Sequence, residues 1–335
     1  MPIEIVAISS YLPAGTLTNS DLNANFPEWS ADRISEKTGI SIRHIADSDE
    51  YSSTLAIRAA ESLLADNNLE ASSIDYLIVV TQTPDYILPG VSQIVHEAIG
   101  LRSSTGAIDV NQGCSGYVYA LGLAKGLIES GQCARVMVLT TDTYSKLIHP
   151  EDKSVRTIFG DGATASLVAE SEIQGKNIDS FVYGTDGSGA GHLIVPTGGL
   201  RDAGTRYPKT RLLERGLSER PYGLFMNGPE IFNFTIRIAH NSLERILEKS
   251  DLRLEDIDIF VFHQANKFML EHLKSKLEIP EAKFPIVMQE FGNTVSSTIP
   301  MTLEKLKNEN RLEGKKVLLL GFGVGLSWAG CILRF

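Results

Sequence analysis

VNQGCSGYVYALGLAKGLIESG, Val110 to Gly131, carries only two charges, Lys125 and Glu129, and its first half is apolar on every side. A helix that is hydrophobic all round belongs inside a large domain. The apolar run is too short to span a bilayer, which needs about 20 residues. Gly122 and Gly126, four apart on one face, leave room for another backbone to approach. Cys114 stands at the head, between Gly113 and Ser115-Gly116. The unpaired N–H groups and dipole of a helix start favour a thiolate, the nucleophilic form of cysteine. A free cysteine is as often a small buried hydrophobe, so this stretch alone leaves both roles open.

Outward from it, Ala107–Val110 reads as a strand entering the helix and Arg135–Thr140 as one leaving it. Ile3–Ser9, Ile74–Val80, Ile257–Phe262, Lys316–Leu320 and Ser327–Arg334 are further apolar strands, and Phe159–Ala169 becomes one after Gly160-Asp161-Gly162. Ser53–Asp66, Val91–Ile99, Pro229–Lys249, Asn266–Leu277 and a segment opening at Asn293 read as helices. Gly187–Pro221, rich in Gly, Pro and charge, reads as an irregular surface excursion. Strands alternating with helices predict βαβ units and a largely parallel sheet.

The chain also repeats itself. Shifted by 183 residues, Ala56, Glu61, Leu64, Leu69, Ile74 and Asp75 fall on Ala239, Glu244, Leu247, Leu252, Ile257 and Asp258 without a gap. Phe159-Gly-x-Gly162 recurs as Phe322-Gly-x-Gly325. Order and spacing together predict two similar halves, 1–172 and 173–335, related by a pseudo-twofold. In this register the Cys114 helix corresponds to the one opening at Asn293, and His263 ends the strand equivalent to Tyr76–Val80.

Composition bounds the rest. With 43% hydrophobic and 21% charged residues, 335 residues suffice for a large core. A net charge of −10 without a Lys/Arg-rich run argues against nucleic acid. Three cysteines, at 114, 133 and 331, form neither a metal-ligand pattern nor a disulfide framework, which fits a reducing compartment. MPIEIVAISSYLP lacks the features of a signal peptide, so the cytoplasm is expected, with no membrane partner.

His263 ends an apolar strand in IDIFVFHQAN, at the carboxyl edge where α/β sheets bind ligands. Asn293, in FGNTVSST, suits a helix N-cap. A thiolate with two neighbouring side-chain donors suits acyl transfer, in which a carbonyl oxygen becomes an oxyanion.

VNQGCSGYVYAL, IFGDGATASLV, VFHQAN, FGNTVSSTIP and GFGVGLSWAG, in this order and spacing, resemble the condensing enzymes of the thiolase superfamily, above all the β-ketoacyl-acyl carrier protein synthase III family. The resemblance implies a thiolase-like α/β fold, two βαβαβαββ halves in α-β-α-β-α layers, as a homodimer. It implies that Cys114 takes an acyl group from a thioester. A malonyl thioester then loses CO₂, and its carbanion attacks the acyl-enzyme to give a β-ketoacyl thioester. His263 and Asn293 would bind the malonyl thioester carbonyl. The backbone N–H groups of Cys114 and Val324 would form the other oxyanion hole. The substrates would be coenzyme A or acyl carrier protein thioesters, with no metal or other cofactor.

The same resemblance assigns substrate and coenzyme A binding to Arg33, Lys37, Lys153, Arg156, Gly228 and Asn266, and carrier docking to Lys267, Lys274 and Lys276. It also exposes departures. Arg33 and Lys37 fall where the family has a tryptophan and an arginine, so stacking on the adenine is expected to be lost or replaced. Phe268 and Asn233 fall where docking cations are expected. Leu88 falls where acetyl-selective members have a phenylalanine capping the acyl pocket across the dimer, which predicts room for a longer or branched chain. With carrier recognition so altered, an acyltransferase moving the Cys-bound group to an oxygen or nitrogen nucleophile is the alternative.

Overall fold

The computed structural model describes residues 2–196, 198–200 and 223–335. Along the first half run β1 (Ile3–Tyr11), β2 (Gly15–Thr18), α1 (Asn19–Asn25), α2 (Ala31–Thr38), β3 (Ile42–Ile45), α3 (Ser52–Asp66) and β4 (Tyr76–Val80). Then come α4 (Val91–Ala98), β5 (Gly106–Val110), α5 (Gly116–Glu129), β6 (Arg135–Asp142), the single turn α6 (Lys153–Arg156) and β7 (Gly162–Glu170). The second half follows with β8 (Asn177–Thr185), β9 (Leu193–Ile194), β10 (Phe225–Met226), α7 (Gly228–Ser250) and β11 (Ile259–Phe262). It ends with α8 (Lys267–Lys276), α9 (Thr298–Asn308), β12 (Lys316–Gly323) and β13 (Ser327–Arg334).

Two sheets carry the architecture, in the orders β1-β7-β6-β4-β5 and β8-β13-β12-β11. The second matches the first strand for strand, without a partner for β5; there the chain makes short 3₁₀ turns at Glu281–Lys283 and Met288–Glu290. The sheets are mixed rather than largely parallel. β4 is parallel to β5 and β6, and β11 to β12, but β7 and β13 run antiparallel to their neighbours. β12 and β13 are joined by a tight hairpin, and β6 reaches β7 without a crossover helix. Only a crossover brings a strand back parallel.

Strand side chains alternate between faces. Ile78, Val80, Val136 and Val138 of the first sheet and Val261, Val317 and Leu319 of the second point inward. Between them lie α5, through Tyr117, Val118, Leu121 and Ile128, and α9, through Ile299, Leu303 and Leu306. Each such burial stabilises by about 1.5–3 kcal/mol. The opposite faces, Leu77, Val79, Met137 and Leu139, and Phe260, Phe262, Leu318 and Leu320, are covered by α3 with α4 and by α7 with α8. The result is five layers, with α5 at the centre as its composition requires. Gly122 of α5 receives the phenol of Tyr183 from β8, whereas Gly126 faces open space and packs against nothing. Of the irregular excursion read at 187–221, residues 201–221 lie outside the described residues, while Leu193–Ile194 forms a short strand with β10. Among the described residues, no helix is long and apolar enough to cross a membrane.

Candidate active site

Cys114 lies buried two residues before the first residue of α5. The helix is not capped by a side chain. Instead the Ser115 hydroxyl lies 2.8 Å from that of Ser327 at the head of β13, which in turn reaches Gln112 Oε1 at 3.0 Å. Two glycines of β12 let the second sheet lie against this turn. A Cβ at Gly321 would stand 2.5 Å from the Cys114 carbonyl oxygen, and one at Gly323 3.1 Å from the Cys114 Cβ.

The thiol is not the resting thiolate that a helix start suggests. Burial, and after it the charge of Asp142, push its pKa well above the usual cysteine value. Desolvation here outweighs the partial charge of the helix end. Asp142, at the end of β6, is itself raised to about 7 by burial. Its carboxylate accepts from the Gln82 N–H at 2.9 Å and from the Ser296 hydroxyl at 2.5 Å, tying the two halves together behind the cysteine.

His263 continues β11, its N–H bonded to the Leu320 carbonyl at 2.9 Å. Nδ1 lies 2.7 Å from Thr298 Oγ1. Burial lowers the imidazole to about 3, so the ring is neutral at any working pH. Asn293 does not cap a helix: α9 opens five residues later, at Thr298. Its backbone forms a bridge with Phe159, and its Oδ1 accepts the Val295 N–H at 2.9 Å, an Asx turn. The amide is therefore oriented by its own backbone, and no hydrogen bond among the described residues engages Nδ2.

Cys114, His263 and Asn293 line one cavity of about 410 Å³. Its other walls are largely apolar, among them Phe159, Met226, Ile231, Phe232 and Phe322. Gly228, which opens α7, and Asn266, whose side chain caps α8, line the same space. Phe268 stands at the rim, 64% exposed and stacked on Phe232 at 5.6 Å. Beyond Cys114 lies a second apolar pack of Tyr144, Ile148, Phe159, Leu193 and Leu224. Val324, in the β12–β13 turn, packs against that cluster. Leu88 lies outside the cavity lining and is 80% exposed, beside exposed Tyr86 and Ile87.

The sequence reading missed one residue, Trp29. Its ring lies 5.6 Å from the Arg33 guanidinium, 5.4 Å from the Lys37 ammonium and 5.6 Å from the Lys153 ammonium. An aromatic ring thus stands among the three cations expected at the nucleotide site. Arg33 and Lys37 lie one turn apart on α2, and Trp29 sits in the bend just before its Ser30 N-cap, where its ring meets both; the four-residue spacing was the available signal. Lys153 is also paired with Glu28 at 2.5 Å. Beneath them the fully buried Arg43 holds the Thr157 carbonyl at 2.6 Å and fixes the end of α6, which carries Lys153 and Arg156. The three lysines expected to dock a carrier differ in their surroundings. Lys267 and Lys276 are exposed, but Lys274 is engaged by Glu271 and Glu281, so its charge is not open to a partner.

With this geometry in hand, the chain matches two family profiles: 3-oxoacyl-[acyl-carrier-protein (ACP)] synthase III over residues 108–187, and the C-terminal part of that family over 247–335. A β-ketoacyl-[acyl-carrier-protein] synthase III 1 of Bacillus cereus is 34% identical over 100% of this chain and 99% of its own. A crystal structure of a 3-oxoacyl-(acyl-carrier-protein) synthase III superposes with a TM-score of 0.94 at 44% identity, covering 100% of both chains. A 3-oxoacyl-(acyl-carrier protein) synthase from Burkholderia xenovorans LB400 gives 0.91 at 35% identity, over 100% of this chain and 94% of its own.

Proposed function

The chain belongs to the 3-oxoacyl-[acyl-carrier-protein] synthase III family, with its thiolase-like fold and condensing activity, and from that premise we propose how its residues divide the reaction. Cys114 attacks an acyl thioester. Its thiol proton leaves with the departing thiol, and the acyl group stays on sulfur. A malonyl thioester then enters the same cavity. His263 and Asn293 donate to its carbonyl oxygen, which takes up negative charge as CO₂ leaves. The carbanion attacks the Cys114 thioester, giving the β-ketoacyl thioester and returning the sulfur, which is reprotonated. Backbone N–H groups of Cys114 and Val324 hold the oxygen of the tetrahedral intermediate. The observation that carries this is the single apolar cavity shared by Cys114, His263 and Asn293.

Trp29 with Arg33, Lys37 and Lys153 supports a site for the nucleotide of coenzyme A, the ring stacking on the base and the cations meeting phosphates. Arg156, Gly228 and Asn266 complete the path inward. Carrier docking falls to Lys267 and Lys276, with exposed Phe268 as an apolar contact in place of a cation. The halves 1–172 and 173–335 contribute the nucleophile and the two donors respectively. The protein works as a cytoplasmic homodimer; exposed Tyr86, Ile87 and Leu88 support an interface through which Leu88 reaches the partner's acyl pocket.

Intact-protein mass spectrometry tests the proposal. A panel of acyl-coenzyme A and acyl-carrier donors should add mass on Cys114, and malonyl thioester should discharge it with CO₂ release. His263→Ala and Asn293→Ala should load but not discharge. Equal loss of both half-reactions refutes the division of roles. A loaded enzyme that only an oxygen or nitrogen nucleophile discharges makes it an acyltransferase instead.

A further inference from the structure

We propose that Thr298, the first residue of α9, is the positioning residue that fixes the tautomer of His263, donating its hydroxyl proton to Nδ1 so that Nε2 carries a hydrogen into the cavity. The inference rests on the donor role given to His263 above. An imidazole serves as a donor from Nε2 only when that nitrogen is the protonated one, and a neutral ring protonates one nitrogen alone. What holds the other nitrogen decides which.

Three groups surround Thr298 Oγ1. The Gln264 N–H points at it from 3.3 Å and occupies a lone pair. The Val295 carbonyl also accepts from the hydroxyl, at a long 3.3 Å. His263 Nδ1 lies at 2.7 Å. Both side chains are buried, so an unplaced hydroxyl hydrogen is costly. Nδ1 is much the nearer of the two acceptors, and we place the proton in that contact. Nδ1 is then an acceptor and Nε2 a donor, with no protein partner among the described residues to take its hydrogen before substrate does.

The same turn sets both donors. Asn293 is oriented by Val295, and Thr298 follows three residues later, with Ser296 between them held by Asp142. One tight turn between Asn293 and α9 therefore aims the asparagine amide and selects the histidine tautomer. The six-residue segment does so without a carboxylate on the imidazole, which would draw the ring toward its charged form. A neutral hydroxyl leaves the imidazole neutral.

The test reads the tautomer directly. The full-length protein is labelled with ¹⁵N-histidine, and long-range proton–nitrogen correlation spectra are recorded, with His263 assigned by its loss in His263→Ala. The wild type should show an unprotonated Nδ1 and a protonated Nε2; the opposite pattern overturns the proposal without any variant. Thr298→Val should abolish that preference, Thr298→Ser should keep it. In parallel, malonyl thioester decarboxylation should fall by roughly ten- to a hundredfold in Thr298→Val and recover in Thr298→Ser, while Cys114 acylation stays within about threefold of wild type. Equal loss of both half-reactions in Thr298→Val also overturns it, since that marks a merely structural role. If the wild type shows the Nε2–H form but decarboxylates nothing, the functional reading fails and the Thr298 assignment stands.

Discussion

Gly323→Ala places a methyl group against Cys114, the proposed nucleophile. The new Cβ would lie 3.1 Å from the Cys114 Cβ, 3.2 Å from Sγ and 3.3 Å from the Cys114 nitrogen. Non-bonded carbons settle about 3.5–4.0 Å apart, so the cysteine must retreat by about half an ångström. Gly323 lies outside the left-handed region, so the backbone tolerates alanine and the effect is one of contact alone. A misplacement of about 1 Å costs roughly a hundredfold in rate, so half of that should slow acylation by about tenfold. Overpacking should also lower stability by about 1–3 kcal/mol. The assay is the rate of acyl transfer to Cys114, followed by intact mass in rapid-quench samples, alongside thermal unfolding. Gly126→Ala is the control: it meets nothing within 4 Å and should gain about 0.5–1 kcal/mol as a helix position, with an unchanged rate. A Gly323→Ala enzyme acylated at the wild-type rate would refute the view that β12 positions the cysteine.

Asp142→Asn removes the negative charge that helps raise the Cys114 thiol, so the pH midpoint for alkylation of Cys114 by iodoacetamide should move down; an upward shift or none contradicts the coupling. The Asp142 carboxyl is raised from 3.8 to about 7, so the folded chain holds its proton more tightly than the unfolded one. Its contribution to stability is complete below about pH 4 and is lost as pH climbs through 7, a slope that Asp142→Asn should flatten in denaturant titrations. Trp29→Ala should raise KM for acyl-coenzyme A by about three- to thirtyfold with little change in kcat, and leave an N-acetylcysteamine thioester, which lacks the nucleotide, unaffected. Equal losses on both donors would place the ring outside the nucleotide path. Arg43→Met leaves the Thr157 carbonyl and Asn19 Oδ1 without their donor, and should cost roughly 3 kcal/mol in chemical denaturation.

The amino-acid sequence determined the layers and pointed to the trio proposed to react. An all-round apolar helix belongs in a core, and two matching halves supply one; α5 lies there, between β-strands legible as the apolar runs Leu77–Val80 and Val317–Leu320. Cys114, His263 and Asn293 were legible because their flanking motifs occur in fixed order, and the structure places all three on one cavity. Electrostatics and local geometry were not legible. A helix start promises a lowered thiol, but the burial that raises it, and the charge of Asp142 behind it, come from elements far away in the chain. Asn293 looked like a cap, yet its backbone pairs with Phe159 and the helix waits until Thr298. Trp29 went unseen because its partner Lys153 arrives from 124 residues along, and Lys274 looked free because Glu281 closes on it from a different turn. Short-range pattern follows from covalent order, which any sequence displays. A pKa, an orientation or an occupied charge follows from what folding brings within a few ångströms, and only the tertiary structure decides that.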